Sequence, residues 1–559
     1  MATTTRWIRR CHWIVVAMSM ATCSGAERFG AREARTRSSS CVVATISGNI
    51  QGRDHGASCA FVGVPFARPP LADLRWKPPQ PVAPWAPAVF DATTPPSSCS
   101  TVSIPGGTPA GVEDCLTLNI WTSDPPLASP APVIVWLHPG SFFGASANFP
   151  SHDGRRLVEE TGVVVVAPNY RLGPFGFLAH TALTAEDSTR AASGNYGLLD
   201  QQAALVWVRD NIARFGGDWT NVTIAGTSAG GQSVGLHLVS PGSGGLFQRA
   251  IVQSAFPALR MPTLLEGEAQ GKRVADALGC TDPASVLTCM RSKPRDQVLL
   301  ALAQAMEQVT EPSNRVHWRP IVDGDVLSHQ PRTLFEQGAF HQVPTIVGST
   351  RDEGWGNFIT RSFPMGVDAA QYESWVAHEF GGHAPGVLAT YPAAAFSSPV
   401  EAMARVVGDG QFVCEARRLA RLIGATGTPA FLYSYEYGID DLSIDHVIHG
   451  VESNLIFGND YVPPMFANHV LTSADLELHE AMSQYWTRFA AVGNPNSTKT
   501  ALVHWPAFQH PQEGARDADR YLVFDATIQA DKRPQDARCS FWERFYLRPM
   551  TLDVPASVR

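Results

Sequence analysis

A G-x-S-x-G motif at residues 226–230 separates two segments of different periodicity. A strand-like run, VTIA at 222–225, precedes the motif, and a helix-compatible run at 232–239 follows it. This order predicts a sharp strand-to-helix turn that exposes the hydroxyl of Ser228 above a sheet. A glycine-rich turn with an incidental serine would share the motif, so the flanking pattern is what makes Ser228 a candidate nucleophile.

Apolar runs of strand length recur along the chain and alternate with helical patterns. Runs that are short, continuous and bounded by Pro or Gly are typical of strands buried on both faces. The alternation predicts an α/β fold with a mostly parallel sheet covered by helices on both faces. The strand-like runs are 132–138, 163–167, 222–225, 250–253, 345–347 and 431–435, and the clearest helices are 200–215 and one capped by Ser473 that ends near 492.

At 559 residues the chain is long enough for three or four domains. No internal repeat and no linker divides the α/β pattern, so we predict one domain over 41–545. A flexible tether at 27–40 precedes it and a tail at 546–559 follows. Within the domain we expect an exposed Pro-rich loop at 78–96 and an irregular insertion at 260–330.

The amino terminus has the order of a secretory signal peptide over residues 1–26. Arginines within 6–10 precede an apolar stretch at 13–22, and small residues follow it. About ten apolar residues are too few to span a bilayer. This predicts a secreted or periplasmic protein without a membrane span; lipid attachment at Cys23 and an uncleaved segment are the alternatives.

The charge and the cysteines exclude several other classes of protein. Lys and Arg number 43 against 51 Asp and Glu, a formal charge of −8 without a basic patch, which argues against nucleic-acid binding. Of ten cysteines, two lie in the predicted signal peptide and eight remain, an even number. No two of these eight form a C-x-x-C pair, which favours disulfides over a zinc site and leaves the pairing open.

A glycine-containing turn follows the strand-like run 132–138. Its backbone N–H groups at Gly140 and Ser141, together with that of Ala229, can serve as donors to the oxyanion of a tetrahedral intermediate. Pro139 has no N–H group and cannot contribute.

The chain resembles the type B carboxylesterases, the group of α/β hydrolases that includes the cholinesterases and many bacterial esterases. The similarity runs from about residue 42 to 545 and implies an α/β-hydrolase fold with an amino-terminal hairpin. The matching segments are 61–70 with 74–76, 113–121, 169–173, 195–201 and 215–218, beside the serine motif.

The resemblance also implies a catalytic triad and a reaction. Glu353, in the segment 348–354, matches the family's triad acid, and His449, in 446–452, matches its base. Ser228 would attack an ester carbonyl, His449 would carry the proton, and Glu353 would orient the imidazole. The implied protein is a secreted serine carboxylesterase that acts on small-molecule esters without a cofactor. Asp352, next to Glu353, is interpreted as a structural hydrogen-bonding partner, and His446 as a surface or loop residue.

Two alternatives stay open at this point. A metal site could use the carboxylates and imidazoles clustered at 440–449. A non-catalytic adhesion or binding protein could have the same fold, although such proteins typically lose a triad residue. The metal candidates are Asp440, Asp441, Asp445, His446 and His449.

The resemblance pairs six cysteines: Cys99 with Cys115, Cys280 with Cys289, and Cys414 with Cys539. Cys41 and Cys59 remain, flanking a predicted hairpin through 53–56. A bond between these two is a hypothesis that rests on their being left over.

The sequence departs from the family at positions that bear on substrate. Thr227 stands where relatives usually have Glu, the loop 99–115 has no aromatic residue, and 355–357 replaces a pair of gorge phenylalanines. A cholinesterase is therefore not expected, because the charge and rings that would hold choline are missing. Ser141 replaces a glycine of the oxyanion loop. If its φ is positive, the side chain adds about 1–2 kcal/mol of strain, and we expect the oxyanion hole to work nonetheless because the N–H groups remain.

Overall fold

The computed structural model describes residues 41–102, 108–307, 318–355, 366–438, 446–460, 469–497, 501–508, 520–531 and 536–545. These residues belong to one compact unit that begins at Ser39. The predicted signal peptide, the tether at 27–40 and the tail at 546–559 lie outside the described residues. Among the helices that the structure describes, none is long and apolar enough to cross a membrane.

The strands are numbered in chain order. They are β1 Val42–Thr45, β2 Gly48–Gln51, β3 Arg53–Asp54, β4 Ser58–Pro65, β5 Val89–Asp91, β6 Thr101–Val102, β7 Pro109–Ala110, β8 Thr117–Ser123, β9 Ala131–Leu137, β10 Val164–Pro168, β11 Gly217–Thr227, β12 Arg249–Gln253, β13 Thr345–Thr350, β14 Ala430–Tyr435, β15 Tyr521–Phe524 and β16 Gln529–Asp531.

The α-helices are numbered in the same way. They are α1 Arg155–Thr161, α2 Gly173–Phe177, α3 Thr181–Glu186, α4 Tyr196–Asn211, α5 Ala229–Val239, α6 Leu264–Ala277, α7 Val286–Ser292, α8 Arg295–Glu307, α9 Pro331–Glu336, α10 Ala369–Phe380, α11 Ala384–Thr390, α12 Pro399–Gly408, α13 Cys414–Gly424, α14 Glu452–Phe457, α15 Ser473–Val492 and α16 Asp536–Trp542.

Within the described residues, eleven strands form the central sheet, in the order β16-β15-β14-β13-β12-β11-β9-β10-β8-β4-β3. The block from β10 to β15 is parallel, and strands at both edges pair antiparallel. The predicted amino-terminal hairpin is β3 with β4, where Asp54 faces Cys59. The structure confirms the predicted fold class, a large mostly parallel sheet.

The central strands are buried on both faces, as their continuous apolar runs predict. Along β9, Val133 and Val135 belong to one hydrophobic cluster, with residues of α4 and α5. Ile134 and Trp136, which alternate with them along the strand, belong to the cluster on the other face, with residues of α1 and α15. The alternation follows from side chains pointing to opposite faces at successive strand residues, so helices cover the sheet on both sides.

Several element predictions need correction. The helix predicted at 200–215 begins earlier, at Tyr196, and its last residues form a 3₁₀ turn that Gly216 ends with φ 81°. The cap of α15 is Thr472 rather than Ser473, because the Thr472 side chain accepts from the N–H of Asp475.

Two segments predicted to lack regular structure contain it. The stretch 78–96 includes β5, which pairs parallel with β2. The stretch 260–330 includes α6, α7 and α8. The short β5 pairs with a strand about forty residues away, and a local Pro-rich pattern does not reveal such a partner.

Four disulfides join the eight cysteines that the structure describes. Six cysteines form the three pairs that the resemblance implies, and the remaining two bond to each other. The pairs are Cys41–Cys59, Cys99–Cys115, Cys280–Cys289 and Cys414–Cys539.

Candidate active site

The serine motif forms the sharp turn between β11 and α5. Ser228 has φ 57° and ψ −123°, a strained backbone for a residue with a side chain. Its N–H donates to the carbonyl of Gln253 on β12 (3.0 Å), and its carbonyl accepts from the N–H of Gln232 (2.7 Å). The turn therefore holds a partly exposed serine at the carboxyl end of the sheet.

The two motif glycines are required by close backbone approach. A Cβ on Gly226 would lie 2.6 Å from the carbonyl carbon of Gly230. A Cβ on Gly230 would collide with the carbonyl oxygen of Leu137 and lie 3.0 Å from that of His138. The amino terminus of α5 is thus packed directly against the end of β9, where the predicted oxyanion turn begins.

Glu353 and His449 form a buried acid–base pair. Nδ1 of His449 lies 2.5 Å from Oε2 of Glu353, and the Glu353 Oε1 accepts from the N–H of Thr350 (2.8 Å). Glu353 is fully buried and His449 is 6% exposed. A carboxylate in this position fixes the imidazole orientation and leaves Nε2 as the atom available for proton transfer.

Asp352 ties the turn that carries Glu353 to the loop that carries His449. Its N–H donates to the carbonyl of Val447 (3.0 Å), and its Oδ2 accepts from the Val447 N–H (2.9 Å). Arg405 binds its other carboxylate oxygen at 3.0 Å. Burial raises the pKa of Asp352, but the nearby ring of His446, the hydrogen bond from the Val447 N–H and the charges of Arg351 and Arg405 bring it to about 2. These contacts support the structural interpretation of Asp352.

The turn after β9 carries unusual backbone angles. Gly140 has φ 117° and Ser141 has φ 54°, so the condition for strain at Ser141 is met. In the part of the chain that the structure describes, neither N–H group donates a hydrogen bond. The N–H of Ala229, the first residue of α5, has no carbonyl one turn earlier in its helix. These three N–H groups are the ones that the sequence predicts as donors to an oxyanion.

His138 and Tyr170 pack together at the start of this turn. The two rings stack at 4.3 Å between centroids, and the Tyr170 hydroxyl donates to the carbonyl of His138 (2.9 Å). Burial lowers the pKa of His138 to about 4, so its ring is neutral at pH 7. The hydroxyl of Thr101, within the loop closed by Cys99 and Cys115, donates to the carbonyl of Phe143. That loop therefore borders the turn.

A second buried glutamate lies close to the acid–base pair, and the sequence reasoning missed it. Glu452 is fully buried, and its Oε1 accepts from the hydroxyls of Ser254 (3.1 Å) and Tyr433 (3.2 Å). Among the described residues, its Oε2 has no hydrogen-bond partner. Burial and the negative charge of Glu353 raise its pKa to about 7. Its position three residues after His449 was the only signal in the sequence.

The structure describes two of the positions at which the sequence departs from the family pattern, Thr227 and Trp355. Thr227 is buried, and its hydroxyl has no partner among the described residues. A Cβ on Gly450 would lie 3.8 Å from that hydroxyl, so the loop carrying His449 passes beside the serine turn. Trp355 packs on the ring of His446 at 4.1 Å, whereas residues 356–357 and 103–107 lie outside the description.

Of the five candidate metal ligands at 440–449, the structure describes only His446 and His449. Asp440, Asp441 and Asp445 lie outside the described residues. His446 is half-buried, 3.7 Å from Asp352 and 3.6 Å from Glu401. His449 is bonded to Glu353 as described above.

A mostly parallel sheet with a strained serine at a strand-to-helix turn, and a buried glutamate–histidine pair in later loops of the chain, is the architecture of the α/β hydrolases. The chain belongs to the carboxylesterase family, whose model matches residues 39–542. It is similar to a fumonisin B1 esterase from Sphingopyxis macrogoltabida, with 35% identity over 489 residues that cover 86% of this chain and 87% of the relative. The protein is therefore a carboxylic-ester hydrolase whose substrates are small-molecule esters.

Proposed function

We propose that the protein hydrolyses carboxylic esters through an acyl-enzyme on Ser228, with His449 as base and Glu353 as the orienting acid. The hydroxyl of Ser228 attacks the ester carbonyl while Nε2 of His449 takes its proton. The bond to the alcohol oxygen then breaks, and the same proton goes to that oxygen. Water repeats the sequence on the acyl-enzyme and releases the acid.

The observation that supports this best is the 2.5 Å contact between Nδ1 of His449 and Oε2 of Glu353 beside the strained serine turn. The bond fixes which imidazole nitrogen faces away from the acid. The N–H groups of Gly140, Ser141 and Ala229 supply the oxyanion donors. Each of the three donors is a backbone group, so none depends on a side-chain rotamer.

Export is the second part of the proposal. Four disulfides within the described residues are compatible with an oxidising extracellular or periplasmic compartment. The predicted signal peptide over 1–26 would deliver the chain there. Amino-terminal sequencing of the exported protein tests this: a mature terminus near Glu27 supports it, and an intact Met1 contradicts it.

The catalytic proposal is tested by covalent labelling. An organophosphate should inactivate the protein with one label, located by mass spectrometry on the peptide that contains Ser228. The variant Ser228→Ala should lose both label and activity, whereas Ser292→Ala, at an exposed serine, should keep both. Full esterase activity in Ser228→Ala would contradict the triad.

The substrate is addressed by a panel of esters. p-Nitrophenyl esters of increasing acyl length should be compared with bulky polyol esters and esters that bear carboxylates. Fumonisin B1, named in the relative, belongs in the same panel. A kcat/KM for one ester class about 100-fold above the others would assign the natural class.

A further inference from the structure

A cavity of about 180 Å³ lies over β4 and β8, near one edge of the central sheet. None of its lining residues belongs to the proposed triad or oxyanion hole. Trp121 on β8 pairs with Ala60 on β4, and both line the cavity. Because Ala60 has only a methyl side chain, the space beside the indole of Trp121 stays open. Asn119 lies two residues before Trp121, so its side chain is on the same face of the strand.

Hydrogen bonds from Asn119 hold one wall of the cavity in place. Its Nδ2 donates to the carbonyl of Ala147 (3.1 Å) and to Oδ1 of Asn148 (2.8 Å), and both of these residues line the cavity. Its Oδ1 accepts from the N–H of Gly63 (2.9 Å). The amide of Asn119 therefore has partners on both sides, and the cavity is formed without a ligand, as small-molecule sites usually are.

The inner part of the cavity is aromatic and apolar. Trp121 is 4% exposed, and the half-buried Phe149 and Val62 line the cavity with it. An engineered apolar cavity of about 150 Å³ binds benzene. A volume of about 180 Å³ therefore has room for one six-membered ring with a small substituent.

Two arginines stand at the mouth of the cavity, and only one of them has a carboxylate partner. Both Arg53 and Arg155 are exposed. Nε of Arg155 donates to both carboxylate oxygens of Asp153 (3.1 and 3.0 Å). Arg53, on β3, forms no ion pair in the part of the chain that the structure describes. The two arginines and one aspartate of the lining thus leave a net charge of +1 at the mouth.

His55 adds an uncharged hydrogen-bond donor to the lining. Burial and the charges of Arg155 and Arg53 lower its pKa, against the opposing charges of Asp153 and Glu159, so the imidazole is neutral at pH 7. Its Nδ1 lies 3.3 Å from Nη1 of Arg155. Because a guanidinium can only donate, Nδ1 accepts, and the proton of the neutral ring is on Nε2.

Charge and size together select the ligand. A guanidinium binds a carboxylate through two parallel N–H bonds. A net charge of +1 matches a monoanion, whereas a phosphate dianion would add negative charge near Asp153. We propose that this cavity is a binding site for a small carboxylate, with its anionic group on Arg53 and His55 and its apolar ring over Trp121. Carboxylic acids are what an ester hydrolase releases, so the reaction itself generates ligands of this class.

The probe for this site is 4-fluorobenzoate, titrated with the intact protein and followed by fluorine NMR. It should bind about tenfold more tightly than 4-fluorobenzyl alcohol, which lacks the charge, and than fluoroacetate, which lacks the ring. 4-Fluorophenyl phosphate should also bind more weakly, because of Asp153. Equal affinity for the alcohol would show that the carboxylate makes no contact, and equal affinity for fluoroacetate would show that the ring makes none. Either result overturns the proposal.

Variants locate the site. Arg53→Ala should weaken 4-fluorobenzoate binding about tenfold, whereas Arg68→Ala, at an exposed arginine outside the lining, should not change it. Val62→Trp fills the cavity and should abolish binding, and Val89→Trp, at an exposed position on β5, is its control. An unchanged Tm in Arg53→Ala shows that the variant is folded. Unchanged binding in that variant overturns the proposal.

A crystal structure with 4-bromobenzoate gives the direct answer. The anomalous signal of bromine should lie beside the indole of Trp121. Bromine found only near Ser228, or nowhere in the protein, overturns the proposal. These binding measurements need no catalysis, so their outcome is separate from that of the covalent labelling of Ser228.

Discussion

The imidazole of His449 is joined to the carboxylate of Glu353 by a 2.5 Å contact in which both side chains are buried. Replacing Glu353 with Gln keeps the shape and removes the charge that would stabilise an imidazolium. We expect kcat for p-nitrophenyl acetate to fall about 10⁴-fold.

Asp352→Asn is the matched control for that substitution. It leaves Arg405 short of a buried partner, so the free energy of unfolding should drop by about 3 kcal/mol while kcat falls far less than in Glu353→Gln. Urea unfolding and steady-state kinetics on both variants check this. Equal losses of kcat in the two variants would refute the assignment of roles.

The buried carboxyl of Glu452 should make the free energy of unfolding depend on pH. Its carboxyl is buried and near Glu353, and its pKa is raised from 4.5 to about 7. Between these two pKa values the folded protein keeps a proton on Glu452 that the unfolded chain has lost. The free energy of unfolding therefore decreases as the pH rises through this interval. The difference between those pKa values corresponds to about 3 kcal/mol.

The variant Glu452→Gln isolates this contribution. Its free energy of unfolding relative to the parent should increase by about 3 kcal/mol between pH 5 and pH 8. Glu373→Gln, at an exposed helical position, should show no such trend. A flat difference for Glu452→Gln would mean that this carboxyl titrates normally.

Ser141 combines a positive φ with a donor role. Ser141→Gly keeps the N–H and relieves backbone strain, so we expect the free energy of unfolding to rise by about 1 kcal/mol with kcat within about threefold of the parent. Ala145→Gly, also at positive φ (63°), should stabilise similarly without any change in kcat. A large gain in kcat for Ser141→Gly would show that the native oxyanion hole is compromised.

The motif glycine Gly230 should tolerate no side chain. A Cβ there would collide with the carbonyl of Leu137 at the end of β9, so Gly230→Ala should displace either the serine turn or the oxyanion turn. We expect a loss of kcat/KM of at least about 100-fold, comparable to removal of an oxyanion donor. Gly382→Ala, where nothing lies within 4 Å, should retain activity.

Two disulfides should differ in their contribution to stability. Cys414–Cys539 closes a separation of 125 residues and Cys280–Cys289 one of 9. In the chain-entropy model, replacing the first pair by Ser costs about 5 kcal/mol and the second about 2.5 kcal/mol. Thermal unfolding of the two double variants checks the order, and a larger loss from the shorter loop would contradict it.

The central sheet was predictable because its strands carry their own signal. β9 and β10 are continuous apolar runs, and residues buried on both faces need no partner information to be recognised. The serine turn was predictable for a related reason, since its glycines answer a local steric demand. The resemblance supplied Glu353 and His449, which single-chain periodicity would not have selected from many acids and histidines.

The remaining features depend on contacts between distant segments. Glu452 and Ser254 meet only after α14 and the end of β12 pack together, so neither stands out in sequence. The π-helical turn at Asp409–Val413 was not predicted from the sequence either. The cap of α15 was misplaced by one residue because Thr472 and Ser473 are chemically equivalent candidates, and only the bond to Asp475 distinguishes them.

The link between Cys414 and Cys539 has a consequence for biosynthesis. Cys414 begins the helix that follows the π-turn, and Cys539 lies in α16, near the end of the described chain. When the ribosome has released His449, every predicted catalytic residue has been translated, but Cys414 still lacks its covalent partner. The bond can therefore form only after residue 539 has been synthesised, and a chain truncated before that residue would contain all three predicted catalytic residues without this cross-link.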